Sequence, residues 1–313
     1  MSLFALPALR RLLLPLLALS LAACQTTSRI AVDTPAAPAV PGGVVTRTGP
    51  ARAPLIALAL GGGAARGFAH VGVIKALEAR GIYPDIVVGT SAGSLVGALY
   101  ASGMTGIELN RVALTMDEAS VSDWTLPSRG IFKGLALQDY VNRAIGNRAI
   151  ENFPRHFAAT ATDLHSGELM VFERGNAGQA VRASSAVPGV FEPVRIGTRE
   201  YVDGGLVTPV PVRVARRLGA DIVIAVDISS RPSSGDPTGL ISTLLQTFAI
   251  MGQTISRMET PEADVVLRPN LGATRGTDFA SRSASVLAGE QAVSVASDQI
   301  RALIERKKRE LGG

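Results

Sequence analysis

The chain has 313 residues, of which 47% are apolar and 18% charged, so it is long enough to bury a large hydrophobic core. Its net charge is +5, but only 4% of its residues are aromatic, and nucleic-acid-binding surfaces combine basic stripes with aromatic side chains, so we expect no nucleic-acid partner. The single cysteine, Cys24, excludes an internal disulfide and any metal site built from several cysteines.

The N-terminus has the three parts of a bacterial secretory signal: a basic pair at 10–11, an apolar run over 12–23, and small residues before Cys24. The apolar run is too short to be a comfortable transmembrane helix. Residues 21–24 (LAAC) resemble the lipobox of bacterial lipoproteins, in which the signal is removed and the cysteine is acylated. We therefore predict that residues 1–23 are a lipoprotein signal peptide and that Cys24 carries membrane lipid. An ordinary signal peptide that ends near a cysteine is the alternative.

A tether follows the predicted lipidation site. Residues 24–54 are rich in Ala, Pro, Thr and Gly and have no helical or strand period, which is typical of a semi-extended linker. The residue after the cysteine is Gln25 and not an aspartate, and in such lipoproteins this favours outer-membrane sorting. The expected location is therefore the bacterial envelope, on the periplasmic face of the outer membrane.

Residues 55–313 are predicted to form the folded domain. Short apolar runs such as 55–60 (LIALAL) and 86–88 (IVV) are typical of fully buried strands, and helix-like segments separate most of them. A helix is predicted over 284–311, near the C-terminus. Strands that alternate with helices indicate a mainly parallel sheet covered on both faces, so the expected fold is a three-layer α/β/α sandwich.

A glycine-rich loop, residues 61–67 (GGGAARG), leaves the first predicted strand and enters a helix. A P-loop would require Gly-Lys-Ser/Thr at its end, which is absent. A dinucleotide site would require an acidic residue at the end of a later strand, but Asp85 begins its strand. The remaining interpretation is an oxyanion hole, in which consecutive backbone N–H groups stabilise a tetrahedral intermediate.

A second motif, residues 89–93 (GTSAG), matches the G-x-S-x-G nucleophile elbow and also lies between a strand and a helix. Gly89 and Gly93 keep side chains away from the sharp turn at Ser91. The helix that follows supplies partial positive charge that favours a developing anion. The alternative is a serine in a tight turn that only caps the helix.

A nucleophilic serine needs a proton acceptor. The three histidines are His70, His156 and His165, so none follows residue 165, where a Ser–Asp–His order would place it. We expect His70 to be a packed or capping group and His165 to be exposed in a hairpin turn. The best carboxylate is Asp203, in residues 201–205 (YVDGG), where burial would raise its affinity for a proton. A simple Asp-Gly turn is the alternative.

The glycine loop, the elbow and the Asp-Gly-Gly segment (Asp203, Gly204 and Gly205), in this order, resemble the patatin-like phospholipase family, as do residues 183–191. The resemblance covers roughly residues 55–230. It implies an α/β/α fold with a Ser–Asp dyad, a lipid acyl-ester substrate and no required metal or cofactor. By position it makes Ser91 the nucleophile and Asp203 the proton acceptor. It also implies that amides near Gly62, Gly63 and Ala64 form an oxyanion hole. Arg66 flanks this hole, and Gly67 closes the motif.

One departure from the family pattern concerns Ala64, which stands where the family commonly has a third glycine. An alanine amide still donates a hydrogen bond, but alanine does not freely adopt positive φ. The sequence thus predicts a lipid acyl hydrolase, of phospholipids, lysophospholipids or neutral lipids. The alternatives are a non-catalytic lipid-binding lipoprotein with the same fold and a nucleotide-binding protein that uses the glycine loop.

Overall fold

The computed structural model describes residues 52–116, 130–229, 239–272 and 280–312. The predicted signal peptide, Cys24 and nearly all of the predicted tether lie outside these residues. Within them, eight strands form one sheet, and hydrophobic clusters on both of its faces are covered by helices. The predicted three-layer α/β/α architecture is confirmed.

The sheet is mixed and mainly parallel. Its strands, in chain order, are β1 (Ile56–Leu60), β2 (Ile86–Thr90), β3 (His156–Asp163), β4 (Leu169–Phe172), β5 (Val194–Ile196), β6 (Arg199–Asp203), β7 (Ile222–Val226) and β8 (Val265–Leu267). The chain of hydrogen-bonded neighbours is β5-β6-β3-β2-β1-β7-β8, and β4 also pairs with β3. Strands β3, β2, β1, β7 and β8 are parallel, whereas β4 and β6 run antiparallel to β3.

The described helices are α1 (Phe68–Glu78), α2 (Ala92–Ala101), α3 (Gly106–Thr115), α4 (Leu135–Ala144), α5 (Ala177–Ser184), α6 (Val212–Arg217), α7 (Leu240–Glu259) and α8 (Arg282–Gly312). Helix α8 agrees with the helix predicted over 284–311. None of these helices is long and apolar enough to cross a membrane.

The central strand β1 is buried on both faces, which explains its unbroken apolar sequence. Leu58 and Leu60 contribute to the larger core cluster, beneath α1, α2 and α8. Ala57 and Ala59 contribute to the smaller cluster on the other face, which includes the apolar side of α6. Fully burying each leucine stabilises the fold by roughly 2 kcal/mol. The small alanines allow α6 to pack closely against the opposite face.

Helix α1, which carries the end of the glycine loop into the domain, is held by the C-terminal helix α8. The two helices contact each other backbone to backbone at Gly72 and Gly289. A Cβ on Gly72 would lie 1.9 Å from the Val286 carbonyl oxygen, and one on Gly289 would lie 2.1 Å from that of Ala69. Any side chain at these glycines would therefore push α1 away from its neighbour.

Strands β2 and β6 pair with the same edge of β3, one after the other. In the register of the sheet, Thr90 at the end of β2 pairs with Thr160, and Asp203 at the end of β6 pairs with Ala161. Strand β4 overlaps both of these pairings, so it occupies the opposite edge of β3. Because β2 and β6 run in opposite directions along the same edge, their carboxyl ends meet.

The folded unit begins slightly before the predicted boundary at residue 55. The Arg52 guanidinium forms an ion pair with Asp221, and Asp221 Oδ2 also accepts from the Leu55 amide at 2.8 Å. The last residues of the predicted tether are thus attached to the start of β7.

Candidate active site

Ser91 occupies the turn between β2 and α2 with φ 53° and ψ −123°, a strained conformation for a residue with a side chain. Its neighbours make this turn possible. A Cβ on Gly89 would lie 2.4 Å from the Gly93 carbonyl oxygen, and one on Gly93 would lie 2.1 Å from that of Leu60. Ser91 precedes α2 but makes no side-chain capping hydrogen bond to it. The alternative in which this serine only caps the helix is therefore wrong.

The elbow is also held from outside. The Ser91 amide donates to the hydroxyl of Ser184, a fully buried residue at the end of α5, with an N to Oγ distance of 2.8 Å. Sequence reasoning assigned no role to Ser184. The sequence feature that could have indicated Ser184 is its position within residues 183–191, a segment that resembles the family. Nothing in the local sequence links this segment to the elbow.

Asp203 is fully buried at the end of β6. Its Oδ1 accepts from the Gly205 amide at 2.7 Å, its own amide donates to the Ala186 carbonyl at 2.9 Å, and Thr162 Oγ1 donates to its carbonyl at 2.9 Å. The predicted Asp-Gly turn is therefore present. It coexists with burial and with proximity to Ser91.

Burial raises the pKa of Asp203 to about 6, and hydrogen bonding from Ser91 and Gly205 limits the rise in this pKa. Ser91 is thus the side chain that reaches the Asp203 carboxyl group. Oδ2 of Asp203 has no hydrogen-bond partner of ordinary geometry among the described residues. A buried carboxylate with one free oxygen and a raised pKa is a competent proton acceptor at neutral pH.

The glycine loop lies against the elbow. A Cβ on Gly62 would lie 3.3 Å from Ser91 Cβ, and one on Gly67 would lie 2.8 Å from Ala92 Cβ. Ala64 has φ 50°, in the left-handed region that favours glycine. The residue that departs from the family pattern is therefore the one at which a glycine would be least strained.

Not every amide of the predicted oxyanion hole is free to bind an oxyanion. The Gly62 amide already donates to the Pro209 carbonyl at 3.0 Å, and the Arg66 amide donates to the Gly63 carbonyl at 3.1 Å. Within the described ranges, the amides of Gly63 and Ala64 donate to no other group. Of the four residues named from the sequence, these two have free donors.

The side chain of Arg66 supports the loop from behind. Its guanidinium contacts the Ser229 carbonyl, and the residue is only 9% exposed. Burial lowers the pKa of Arg66, and the nearby Asp227 carboxylate opposes this lowering of the pKa. Arg66 therefore connects the glycine loop to the segment after β7 and does not line the cavity beside Ser91.

The three histidines are placed as packing or surface groups. His70 is fully buried, and its Nε2 lies 2.8 Å from the Gly61 carbonyl oxygen. Burial lowers the pKa of His70 to about 4, so the neutral ring donates its Nε2–H to that carbonyl. His165 is exposed in the turn between β3 and β4, and His156 pairs with Glu173 at 2.9 Å. The expectations for His70 and His165 are confirmed.

Ser91 lines an apolar cavity of about 280 Å³. Its walls come from α1 to α4 and from residues 185–191, which form one lip. The apolar side chains that line it include Phe68, Val71, Leu95, Leu99, Leu109, Met116, Phe132, Leu137, Val187, Val190 and Phe191. Such a cavity accepts a hydrocarbon chain and offers no charged partner to a soluble metabolite. Within the described ranges, no cluster of three or more His, Cys, Asp or Glu side chains is arranged to hold a metal ion.

Comparison with known proteins finds relatives of this chain. A protein of Mycobacterium tuberculosis named as an uncharacterized NTE family protein is 37% identical over 179 residues, which cover 56% of this chain and 49% of the relative. A Coccidioides immitis protein named lysophospholipase NTE1 is 37% identical over 181 residues, 56% of this chain and 12% of the relative. The chain thus spans about half the length of the mycobacterial relative and much less of the fungal one.

A solved structure shares the fold. The crystal structure of VipD from Legionella pneumophila matches with a TM-score of 0.50 and 14% identity, over 82% of this chain and 67% of that one. The family model described as patatin-like phospholipase matches residues 58–216, slightly more than half of the chain, and so includes the glycine loop, the elbow and the Asp203 turn. By this match the chain belongs to the patatin-like phospholipase family.

Proposed function

We propose that this protein is a lipid acyl-ester hydrolase that works with a Ser91–Asp203 dyad. The observation that carries the proposal is the meeting of Ser91, strained on its elbow, with the buried Asp203 carboxyl group at the wall of an apolar cavity. The name of the fungal relative, lysophospholipase, supports an ester of a fatty acid as substrate.

In the first half-reaction, Asp203 takes the Ser91 hydroxyl proton as Ser91 Oγ attacks the ester carbonyl carbon. The new C–O bond produces a tetrahedral oxyanion, which the free amides of Gly63 and Ala64 stabilise, together with the N-terminal end of α2. The intermediate collapses, the bond to the alcohol breaks, and the alcohol leaves with the proton from Asp203. The product is an acyl-Ser91 enzyme.

In the second half-reaction, water replaces the alcohol. Asp203 takes a proton from the water as its oxygen attacks the acyl carbonyl, and the same two amides stabilise the second oxyanion. The bond to Ser91 Oγ breaks, Ser91 recovers its proton from Asp203, and the fatty acid leaves. A carboxylate with a pKa near 6 is ionised at neutral pH, so it is ready to accept the proton in each half.

Removing the hydroxyl of Ser91 tests the proposed chemistry directly. Ser91→Ala in the full chain should abolish hydrolysis of a chromogenic acyl ester, and a fluorophosphonate probe should label the parent but not the variant. Ser166→Ala, in the turn between β3 and β4, is the matched control and should leave both signals intact. Substantial turnover by the Ser91→Ala protein would remove the assignment. Absence of labelling in the parent would favour the non-catalytic lipid-binding alternative.

We also propose that the hydrolase acts at a membrane. Residues 1–23 would direct export, acylated Cys24 would hold the chain in lipid, and residues 25–51 would join it to the domain. The support is the lipobox-like sequence before Cys24, and Gln25 favours the outer membrane of the bacterial envelope. Cys24→Ser should abolish incorporation of radiolabelled palmitate and release the protein from the membrane fraction. Unchanged labelling would contradict the anchor.

A further inference from the structure

Helix α7 presents an apolar stripe on its outer side. Leu240, Leu244, Met251 and Met258 are between 44% and 76% exposed. They recur at intervals of 4, 7 and 7 residues, so they lie on one side of the helix. Large apolar side chains exposed together on one side of a helix mark a candidate interaction site.

The charged groups of α7 do not interrupt this stripe. No charged residue occurs from Leu240 to Ser256; Arg257 and Glu259 are the charged residues of the helix, and Glu259 is buried. Each hydroxyl in a group of four donates to a carbonyl of α7 or of the preceding Gly239 at 2.8–3.0 Å: Ser242, Thr243, Thr247 and Thr254. These hydroxyls therefore need no water, which suits contact with hydrocarbon.

The helix is attached to the active site at three points. Leu244 Cδ1 lies 3.4 Å from the Cβ position of Gly189, in the cavity lip of residues 185–191. The Phe248 ring lies 3.2 Å from the Cβ position of Gly205, in the turn that bears Asp203. At the other end, Thr208 Oγ1 donates to Glu259 Oε1 at 2.8 Å. The apolar stripe is thus continuous with the lip of the cavity that Ser91 opens into.

We propose that the apolar stripe of α7 is the surface by which the domain docks on a lipid bilayer, with the helix lying in the plane of the interface. The identity of the substrate rests on the proposed function, but docking does not. An uncharged helix surface matches the hydrocarbon boundary of a bilayer, and α7 is not apolar enough to cross one.

The predicted anchor has the reach that docking needs. From Cys24 to Arg52 there are 28 residue steps, which span roughly 90 Å when extended. The domain can therefore turn α7 toward the membrane that holds its own N-terminus. A lipid substrate would then pass from the bilayer past residues 185–191 to Ser91 without crossing water.

The test uses the full chain with Cys24→Ser, so that binding does not depend on the acyl group. Its partition onto vesicles of phosphatidylethanolamine and phosphatidylglycerol is measured by co-sedimentation. Substituting Leu240→Gln, Met251→Gln and Met258→Gln, which leaves Leu244 at the cavity lip unchanged, should weaken this partition by about tenfold or more. The matched control carries Leu287→Gln and Val295→Gln on α8, which are 53% and 90% exposed, and should bind as the parent does.

Measurements of hydrolysis distinguish the docking proposal from the proposed catalytic function. The triple α7 variant should retain turnover of a soluble short-chain nitrophenyl ester while its turnover of vesicle lipid falls with its binding. A Ser91→Ala protein should still bind vesicles. If the parent binds vesicles but cleaves no ester, the proposed function fails and the docking proposal stands. If the triple variant binds vesicles as tightly as the parent, the docking proposal is wrong.

A second measurement covers the case in which the triple variant does not fold. In the Cys24→Ser background no cysteine remains, so Leu240→Cys and Val295→Cys each accept one polarity-sensitive fluorophore. Vesicles should shift the emission of the label at 240 to shorter wavelength and leave that at 295 unchanged. Equal behaviour at the two sites would overturn the proposal. So would a shift at 240 caused by protein concentration alone, which would identify a second copy of the chain as the partner.

Discussion

Thr90 and Asp203 pair with consecutive residues of β3, Thr160 and Ala161, from the same edge of the strand. This relationship explains how Ser91, the residue after Thr90, meets a carboxylate more than a hundred residues away in the chain. The strands deliver both groups from opposite directions, so neither depends on a long loop for its position. Side-chain hydroxyls also reinforce the meeting, since Thr90 Oγ1 and Thr160 Oγ1 lie 2.6 Å apart and Thr90 Oγ1 donates to the Thr208 carbonyl at 2.8 Å.

Activity should depend on the ionisation of Asp203. Because burial raises the pKa of Asp203 to about 6, kcat/KM for a soluble ester should fall about tenfold for each pH unit below this value and level off above pH 7. Asp203→Asn should lower kcat by about a thousandfold or more, since an amide accepts no proton at neutral pH. The measurement is a pH–rate profile of parent and variant. A parent profile that is flat from pH 5 to 8 would argue against Asp203 as the base.

The same carboxyl group should cost stability at neutral pH. Its folded pKa lies above the ordinary value of 3.8, so its contribution favours the folded state at low pH and is lost as pH rises through about 6. Asp203→Asn should therefore stabilise the protein at pH 7 by about 1–3 kcal/mol, with a smaller gain at pH 4. Burial also raises the pKa of Glu259, to about 7, so denaturant melts of parent and variant must be compared at each pH. A gain that does not change with pH would show that ionisation is not its cause.

Ala64→Gly should relieve strain without loss of activity. Ala64 has φ 50°, a conformation that costs an L-residue roughly 1 kcal/mol and glycine almost nothing. We expect a stability gain of about 0.5–1 kcal/mol and kcat equal to or above that of the parent. Ala65→Gly is the matched control, because Ala65 has negative φ in the same turn and should lose stability. Thermal unfolding of the two variants gives the comparison, and the idea fails if both shift in the same direction.

Ser184→Ala should weaken the elbow through its backbone. The substitution removes the acceptor for the Ser91 amide, and an unpaired amide at this position costs about 1–3 kcal/mol. We expect kcat to fall by about tenfold or more while KM changes little, because Ser184 does not line the cavity. Ser185→Ala serves as control, since Ser185 lines the cavity but accepts no bond from the elbow. Equal effects of the two substitutions would contradict a specific role for Ser184.

His70 should position the glycine loop as a neutral donor. His70→Gln retains an N–H that reaches the Gly61 carbonyl, whereas His70→Phe leaves that buried carbonyl without this partner. We expect the glutamine variant to keep most of its rate of labelling by a fluorophosphonate, and the phenylalanine variant to lose about tenfold. The pKa of His70 is about 4, so neither variant should alter the pH–rate profile between pH 5 and 8. A profile that changes in this range would show that His70 itself titrates during turnover.

Local patterns in the sequence were sufficient for the architecture, and they indicated the candidate site residues. The apolar runs of β1 and β2 predict strands buried on both faces, and the small residues around Ser91 predict a turn that tolerates no larger side chain. Both are local constraints, and steric conflicts such as that of Gly93 with the Leu60 carbonyl make them strict. The positions of the three histidines pointed to a carboxylate as the base, and the structure keeps His70 neutral and buried.

Contacts between distant segments decided the rest. Whether the Gly62 amide is free depends on Pro209, and whether Ser91 is held in place depends on Ser184, and no local pattern contains either pairing. The exposed stripe of α7 has the composition of a core helix, so only its position at the surface distinguishes the two. Sequence by itself determined which chemical groups are present and which backbone shapes they permit, because propensity and steric fit act over a few residues. The tertiary structure alone decided which donors stay free and which apolar side faces outward, because hydrogen bonding and burial depend on the packing of segments far apart in the chain.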